Sequence, residues 1–292
     1  MIKIEFNKEG LIKSPLNYTG SKYRLLKKGM LEYFPNKVDT FYDLFRGAGN
    51  ISINVKANNI IYNDYINFLP EMFNYWKTTD MEYIISYINK TIYDFKLSST
   101  NKDGFLNFRE YYNNNKKIQD LFILICYSFN YQMRFNNNKQ YNSSFGKEAS
   151  TMNNNILKNL NLFINKIKNS NIVFLNKDFR QVINVNSLND NDFVYLDPPY
   201  SISCGVYQDG KRGFKGWTIQ DDLDLLKLCD ELNDNGIKFA MSNMLESKGI
   251  VNNTMKNWST KYNVINLDMN YNGSNYHRTI NNKDSEVLIT NY

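Results

Sequence analysis

Apolar and polar positions alternate along the chain in short blocks. Thr40 to Phe45 is an apolar run that breaks into the glycine turn Arg46-Gly47-Ala48-Gly49. A helix-like stretch from Asn50 to about Asn58 follows, then a second apolar run from Asn59 to Tyr62, ended by Asn63-Asp64. Runs of four to six residues bounded by turn signals read as buried strands. Strand, glycine turn, helix, strand, acid is the opening of a doubly wound α/β sheet. From roughly Phe68 to Lys168 the alternation stops and the spacing becomes helical, broken by polar turns. Its one strand-turn-strand candidate is Gln132 to Phe145, around Asn136-Asn137-Asn138. Ile172 to Leu175, Phe193 to Leu196 and Ile237 to Met241 resume the alternation. Val264 to Met269 and Glu286 to Thr290 finish it as extended pieces. The pattern predicts one α/β domain, 1–67 and 169–292, interrupted by a mainly helical insertion, 68–168, that contains a β-hairpin.

Composition narrows the class. An apolar content of 42% is ample for a packed core. No run approaches transmembrane length, and Leu121 to Cys126, the most apolar stretch, reads as buried. The first fifteen residues carry charges and no apolar h-region, so no secretory signal is expected. Cys126, Cys204 and Cys229 stand singly and His277 is the one histidine, which argues against a disulfide framework and against a metal site of zinc-ligand spacing. A cytoplasmic setting, with no membrane partner, is the expectation. The net charge of +6 is uneven: residues 1–37 carry a local +5 and residues 101–180 a local +7, while the remainder is acidic. Two basic segments flanking acidic ones suit one positive face against a phosphate backbone, although a solvated lysine-rich surface would look the same.

Asp197-Pro198-Pro199-Tyr200 directly follows the apolar run Phe193 to Leu196. Each proline pushes the residue before it out of the α region, so the strand cannot turn at once into helix. Its tip must project the Asp197 carboxylate and the Pro198 carbonyl beyond the sheet's carboxyl edge, where open α/β sheets bind ligands. Two acceptors beside the Tyr200 ring suit a planar molecule bearing an NH2 group. Chance would place this tetrapeptide in roughly 0.2% of chains this long, so a mere Pro-Pro turn is the weaker reading. The second signal is Asp43-Leu44-Phe45-Arg46-Gly47-Ala48-Gly49, whose glycines let backbone approach a ligand. Asp64 ends the next strand, where an acid can bond ribose hydroxyls. Gly20-Ser21-Lys22 lacks the preceding glycine of a phosphate loop, so the cofactor expected is a nucleoside without a phosphate chain.

Taken in order, Pro15-Leu16-Asn17-Tyr18-Thr19-Gly20-Ser21-Lys22, the Asp-x-Phe-x-Gly-x-Gly turn, Asn63-Asp64 and Asp-Pro-Pro-Tyr resemble the Dam-like adenine-N6 DNA methyltransferases. These form the D12 class, in the alpha arrangement in which the recognition insertion precedes the Asp-Pro-Pro-Tyr strand. The resemblance runs from Pro15 to the terminal Glu286-Val287-Leu288-Ile289-Thr290-Asn291-Tyr292. It implies a Rossmann-like methyltransferase sheet, S-adenosyl-L-methionine as cofactor without a metal, and double-stranded DNA as substrate; it leaves open whether a cognate restriction endonuclease, acting separately, is a partner. Tyr18 and Lys22 then match contacts to the cofactor's methionine part. Asp43, Phe45, Gly47 and Gly49 match the turn beneath it, Asp64 the ribose ligand, and Asp178-Phe179 the border of its adenine. Asp197 would face both cofactor and target base. Arg134-Phe135-Asn136 and Phe145-Gly146-Lys147 resemble the recognition hairpin, which makes Arg134, Asn136, Lys139 and Lys147 the candidate DNA contacts. Ser144 replaces the hairpin's usual proline and the turn Asn138-Lys139-Gln140 lacks glycine, departures that bear on the target sequence rather than the reaction.

The chemistry agrees with that resemblance. An exocyclic adenine amine is a poor nucleophile because its lone pair is delocalised into the ring. Accepting its hydrogens at Asp197 and Pro198 returns density to nitrogen. A base inside a duplex is out of reach and must be flipped out, with stacking on Tyr200 offsetting part of the cost. Other features carry less. Met241-Ser242-Asn243 reads as a strand end, with bordering the pocket the weaker alternative. Asp221 to Glu231 reads as the outer face of a helix carrying Leu223, Leu226 and Leu228. Ser201 to Trp217 reads as a lid over the base ahead of a plain long loop, and His277-Arg278 as a solvated polar loop ahead of a phosphate contact. Rival readings are an RNA or protein-amide methyltransferase and a silent DNA-binding scaffold. Asp rather than Asn at position 197 weighs against the amide enzymes, and the filled cofactor positions weigh against the scaffold.

Overall fold

A computed structural model of the chain describes residues 10–18, 20–203, 216–247, 249–267 and 285–292. Its sheet comprises β1 (Thr40–Asp43), β2 (Asn59–Asn63), β3 (Ile172–Leu175), β4 (Phe193–Leu196), β5 (Lys238–Ser247), β6 (Ile250–Val251), β7 (Asn263–Asn266) and β8 (Ser285–Thr290). The order is β3-β2-β1-β4-β5-β8-β7, with β6 paired to β5. From β3 to β5 all neighbours are parallel, whereas β8 runs antiparallel to both β5 and β7. β1 is the point where the strand order reverses, since β2 and β3 lie to one side and β4 and β5 to the other. A crevice opens at such a point, outside the carboxyl ends of the strands. All four residues of β4 are buried, as expected of a central parallel strand covered on both faces.

Two apolar clusters cover those faces. Leu225, Leu226, Cys229 and Leu232 of α7 (Ile219–Asp234) pack with Phe239 and Met241 of β5 and with Trp258 of α8 (Asn253–Ser259). On the other face lie α1 (Tyr23–Lys27) and the helices between β2 and β3: α2 (Phe68–Thr78), α3 (Met81–Asp94), α4 (Lys102–Asn115), α5 (Ile118–Cys126) and α6 (Asn154–Lys168). Phe73 of α2 meets Tyr62 of β2 at 5.4 Å between ring centroids and Phe163 of α6 at 5.0 Å. These helices therefore share one apolar core with the sheet.

Four expectations change. Residues 50–58 are not a helix: Ile53 and Val55 donate to Gly49 and Ile51, and Asn54 donates to Ile51, which makes only a tight turn. The Asn54 amide donates to the carbonyls of Asn50 and Ile12, and such side-chain bonds compete with helix propagation. β5 runs on to Ser247, so Ser242 and Asn243 are buried mid-strand residues, with Ser242 bonded to the Tyr195 hydroxyl at 2.8 Å. On α7, Leu223 is exposed while Asp222 is buried beneath the Trp217 indole, which donates to it at 2.7 Å. The Gln132 to Phe145 segment makes two isolated bridges, Phe135 with Tyr141 and Ser128 with Phe145, rather than regular strands. Side chains stitch it instead: the hydroxyls of Tyr141 and Ser143 both donate to the Gln132 carbonyl, and Arg109 donates to the Ser143 carbonyl. Among the described residues no helix is long and apolar enough to cross a membrane. Residues 204–215, which hold Cys204 and most of the proposed lid, lie outside the described residues, as do His277 and Arg278.

Candidate active site

The glycine turn is built on buried charge. Asp43, the last residue of β1, holds Arg46 at 2.8 Å and accepts from the Ser52 hydroxyl at 2.6 Å, with both charged side chains about fully buried. The guanidinium lies 4.1 Å from the centroid of the Tyr62 ring. A Cβ on Gly49 would come within 2.8 Å of this guanidinium, and one on Gly47 within 2.9 Å of the Tyr18 ring. Both glycines have positive φ, so backbone conformation and space alike demand glycine. Burial pushes the Asp43 carboxyl up to about 7 even though Arg46 and Ser52 pull it down. Burial likewise lowers the Arg46 guanidinium.

Asp64 follows β2 and caps the same turn, accepting from the backbone N–H of Gly47 at 2.7 Å and of Ile66 at 2.8 Å. Burial raises its carboxyl to about 6 against these bonds. Asn63, ahead of it, bonds the Leu44 carbonyl and both backbone groups of Lys177, tying the ends of β1 and β2 to the loop after β3. Beside them stand three rings: Phe45 is 5.3 Å from Phe179 and 5.4 Å from Trp217, and Phe179 is 5.7 Å from Trp217. Asp178 turns away from this wall. It caps the short 3-10 turn Phe179–Gln181 and binds Arg180, which also reaches Asp221 at 2.5 Å and Asp224 at 2.7 Å. Phe179, and not Asp178, thus supplies the wall.

Across the switch point lies the tip of β4. After Leu196 the chain stays extended through Tyr200 and enters a 3-10 turn only at Ser201–Ser203, as the two prolines require. Lys22 sets its ammonium 2.8 Å from Asp197 Oδ1 and 3.3 Å from Glu286 Oε1. The Tyr200 hydroxyl lies 3.1 Å from the same Asp197 oxygen and 2.9 Å from the same Glu286 oxygen. Lys22 also stands 5.1 Å from the centroid of the Tyr200 ring. The Asp197 side chain is 18% exposed, and among the described residues its Oδ2 has no partner. Burial raises the Asp197 carboxyl, opposed by Lys22 and reinforced by Glu286. Tyr18, Lys22, Asp43, Phe45, Gly47, Gly49, Asp64, Phe179 and Asp197 to Tyr200 are thus gathered at the carboxyl edge of β1, β2 and β4, with Asp178 at its margin.

Three residues of this site escaped the sequence reading. Arg46 was only a position inside the glycine turn, Trp217 only the end of a loop, and Glu286 only part of the last strand. An acid opening an otherwise apolar strand, Glu286 ahead of Val287-Leu288-Ile289, was the available signal. The hairpin residues lie elsewhere. Arg134 and Lys139 are exposed, Lys147 is exposed and 3.5 Å from Glu148, and Asn136 bonds within its own turn. Phe135 stacks on Phe68, the first residue of α2, at 4.9 Å. Asn17 donates to the Asn130 carbonyl at 2.9 Å, linking the loop before Tyr18 to the segment between β2 and β3.

A doubly wound sheet with a glycine cradle, a capping acid and an Asp-Pro-Pro-Tyr tip at its switch point defines a class. The chain belongs to the D12 class N6 adenine-specific DNA methyltransferase family, whose pattern matches residues 18–273. It is 46% identical over 99% of its length to the type II methyltransferase M.FokI of Planomicrobium okeanokoites. It is 44% identical over 96% of its length to the modification methylase StsI of Streptococcus sanguinis, and 33% over 96% to the modification methylase LlaI of Lactococcus lactis. The chain spans 45%, 43% and 43% of the length of these three relatives.

Proposed function

We propose that the chain transfers a methyl group from S-adenosylmethionine to N6 of an adenine flipped out of duplex DNA. The observation that carries this reading is Asp197, held by Lys22 and Tyr200 through Oδ1 while Oδ2 is left without a partner among the described residues. Oδ2 and the Pro198 carbonyl accept the two amine hydrogens, and Tyr200 offers the base a ring. Those contacts would aim the nitrogen lone pair at the methyl group of a bound cofactor. Oδ2 of Asp197, already accepting one amine hydrogen, would take the proton that the methylated nitrogen loses and pass it to water. When bound, the cofactor supplies the electrophilic methyl.

The residues present fit that cofactor. Phe45, Phe179 and Trp217 offer an aromatic wall for an adenine, and the buried Asp64 carboxylate offers acceptors for a ribose diol. The Gly47 backbone packs closely on the Tyr18 ring, which would border the methionine part. Lys22 is already engaged by carboxylates, so its contact with the methionine carboxylate would be shared with them. The Gln132 to Phe145 hairpin, with Arg134, Asn136, Lys139 and Lys147, is the reading element for DNA. Two of the relatives are named modification methylases, and a role in protecting DNA from a separate endonuclease follows as part of this proposal.

Incubation with duplex DNA and tritiated S-adenosylmethionine, followed by digestion to nucleosides, tests the reading. Label in N6-methyladenine supports it. Label confined to cytosine or to RNA, or tight cofactor binding without any transfer, would overturn it in favour of the RNA enzyme or the silent scaffold.

A further inference from the structure

Asp197 and Glu286 come from different strands, β4 and β8, yet present one oxygen each to the same two groups, the Lys22 ammonium and the Tyr200 hydroxyl. Both acids are more than four-fifths buried and Glu286 is the more enclosed, at 4% side-chain exposure against 18%. One lysine therefore serves two buried carboxylates. A tyrosine hydroxyl has one hydrogen, so it cannot donate fully to both acids at once. Such an arrangement is costly unless it serves a purpose, because a buried charge without full compensation destabilises the fold. The enclosed acid cannot reach a substrate. The more exposed one can.

We propose that Glu286 is a positioning residue of the methyl-transfer site. It holds Lys22 and Tyr200 from the β8 side, so that Asp197 keeps Oδ1 engaged and turns Oδ2 to the target amine, and its negative charge keeps Asp197 a strong hydrogen acceptor. The second clause has a definite sign. The groups that face Asp197 are Lys22 from the loop before α1, Glu286 from β8, Tyr200 from its own loop, Tyr195 from β4 and Asp43 from β1. Lys22 and the Tyr200 hydroxyl favour the ionised form, while burial and the Glu286 charge disfavour it. Removing the Glu286 charge lowers the proton affinity of Asp197 and makes it a weaker acceptor.

The proposal rests on the methyl-transfer reading, and the Glu286→Gln variant tests it in two ways. The amide keeps the size of the side chain and can still accept from Tyr200. In cofactor-free protein, the Asp197 carboxyl carbon is followed against pH by NMR. Its titration midpoint should fall in the variant. In single-turnover methylation, the acid limb of the pH–rate profile should move down with that midpoint, while the plateau rate falls about tenfold. Glu286→Asp, which keeps the charge but shortens the reach, should hold the midpoint and lower only the plateau. A midpoint unmoved in Glu286→Gln, with the rate reduced equally at every pH, would mean that Glu286 is structural and would overturn the proposal. A wild-type protein inactive on adenine would sink the methyl-transfer reading instead. The NMR titration then still decides whether Glu286 acts on Asp197.

Discussion

Two pairs of buried acids lie at the carboxyl edge of this sheet, and they are treated in opposite ways. Asp43 and Asp64, at the ends of β1 and β2, have their bonds turned inward to Arg46, Ser52 and the backbone of Gly47 and Ile66. Asp197 and Glu286, beyond β4 and on β8, share one lysine and one tyrosine, and Asp197 keeps an oxygen turned outward. The first pair makes a rigid cradle, whereas the second presents an acceptor. Asp43 takes both its partners on Oδ2 and leaves Oδ1 buried and unbonded. Asp64 carries one backbone donor on each oxygen, and Asp197 has its Oδ2, unbonded among the described residues, on a partly exposed side chain. An acid shapes a site or acts on what enters according to which of its lone pairs a ligand can reach.

The sharpest test of that contrast is Asp197→Ala. It should lower methyl transfer by a thousandfold or more, on the order expected when a preorganised electrostatic group is lost, while the protein stays folded and still binds DNA. Near-normal incorporation of tritiated methyl into adenine would remove Asp197 from the chemistry. Arg46→Leu should do the reverse. Taking the cation from Asp43 leaves a buried charge uncompensated, at a cost of about 3–5 kcal/mol in unfolding free energy by urea denaturation. A loss under about 1 kcal/mol would show that Asp43 is carried neutral and that the ion pair is not what holds the turn.

The Asp64 prediction is smaller and depends on pH. Asp64→Ala should weaken S-adenosylmethionine binding by about 1.5–3 kcal/mol, the worth of hydrogen bonds to a charged group. Since the folded carboxyl titrates near 6, cofactor affinity should rise about tenfold from pH 5 to pH 7 in the wild type and stay flat in Asp64→Asn. Stability moves in the other direction. A folded pKa raised above the unfolded value gives stability that is present at low pH and lost as pH rises through about 6. Isothermal titration across this range, with thermal unfolding beside it, separates the two trends. Affinity independent of pH would mean that Asp64 only caps its turn.

Much of this was legible in the residues, for reasons that can be stated. A continuous apolar run located β4 to the residue, because a strand buried on both faces admits nothing polar. The same signal located β3, although β3 is an edge strand with Val173 exposed. The Asp-Pro-Pro-Tyr tip was legible because proline restricts backbone geometry locally. What failed was set by contacts distant in sequence. Asn50 to Asn58 looked helical until Asn54 was captured by Ile12 and Asn50 by Ser14. That Arg180 would draw Asp178 together with Asp221 and Asp224 was likewise invisible in the residues. Glu286 lies 89 residues beyond Asp197 in the chain, and only the pairing of β8 with β5 brings the two together.

The segment between β2 and β3, proposed to read DNA, extends the same contrast, with the smallest expected effect. Within the hairpin, Asn136 is spent on the turn, since its side-chain oxygen accepts from the N–H of Asn138 and of Gln140. The tip is held further by Lys116, which donates to the Lys139 carbonyl at 2.9 Å, and by Phe135 stacked on Phe68. Arg134 is exposed, and its guanidinium has no partner among the described residues. A rigid hairpin thus displays a disengaged arginine, the side chain that most often reads guanine bidentately in the major groove. If it reads a base, Arg134→Ala should cost roughly 1–3 kcal/mol on the true site and relax preference at one base pair. If it only touches phosphate, all sequences should weaken alike and the salt slope should fall by about one. Methylation mapped on random duplex DNA, for wild type and variant, tells the two apart. A site logo relaxed at a single position supports base reading. An unchanged logo with uniformly lower activity would transfer the reading role to another residue of the hairpin and leave Arg134 as a phosphate clamp.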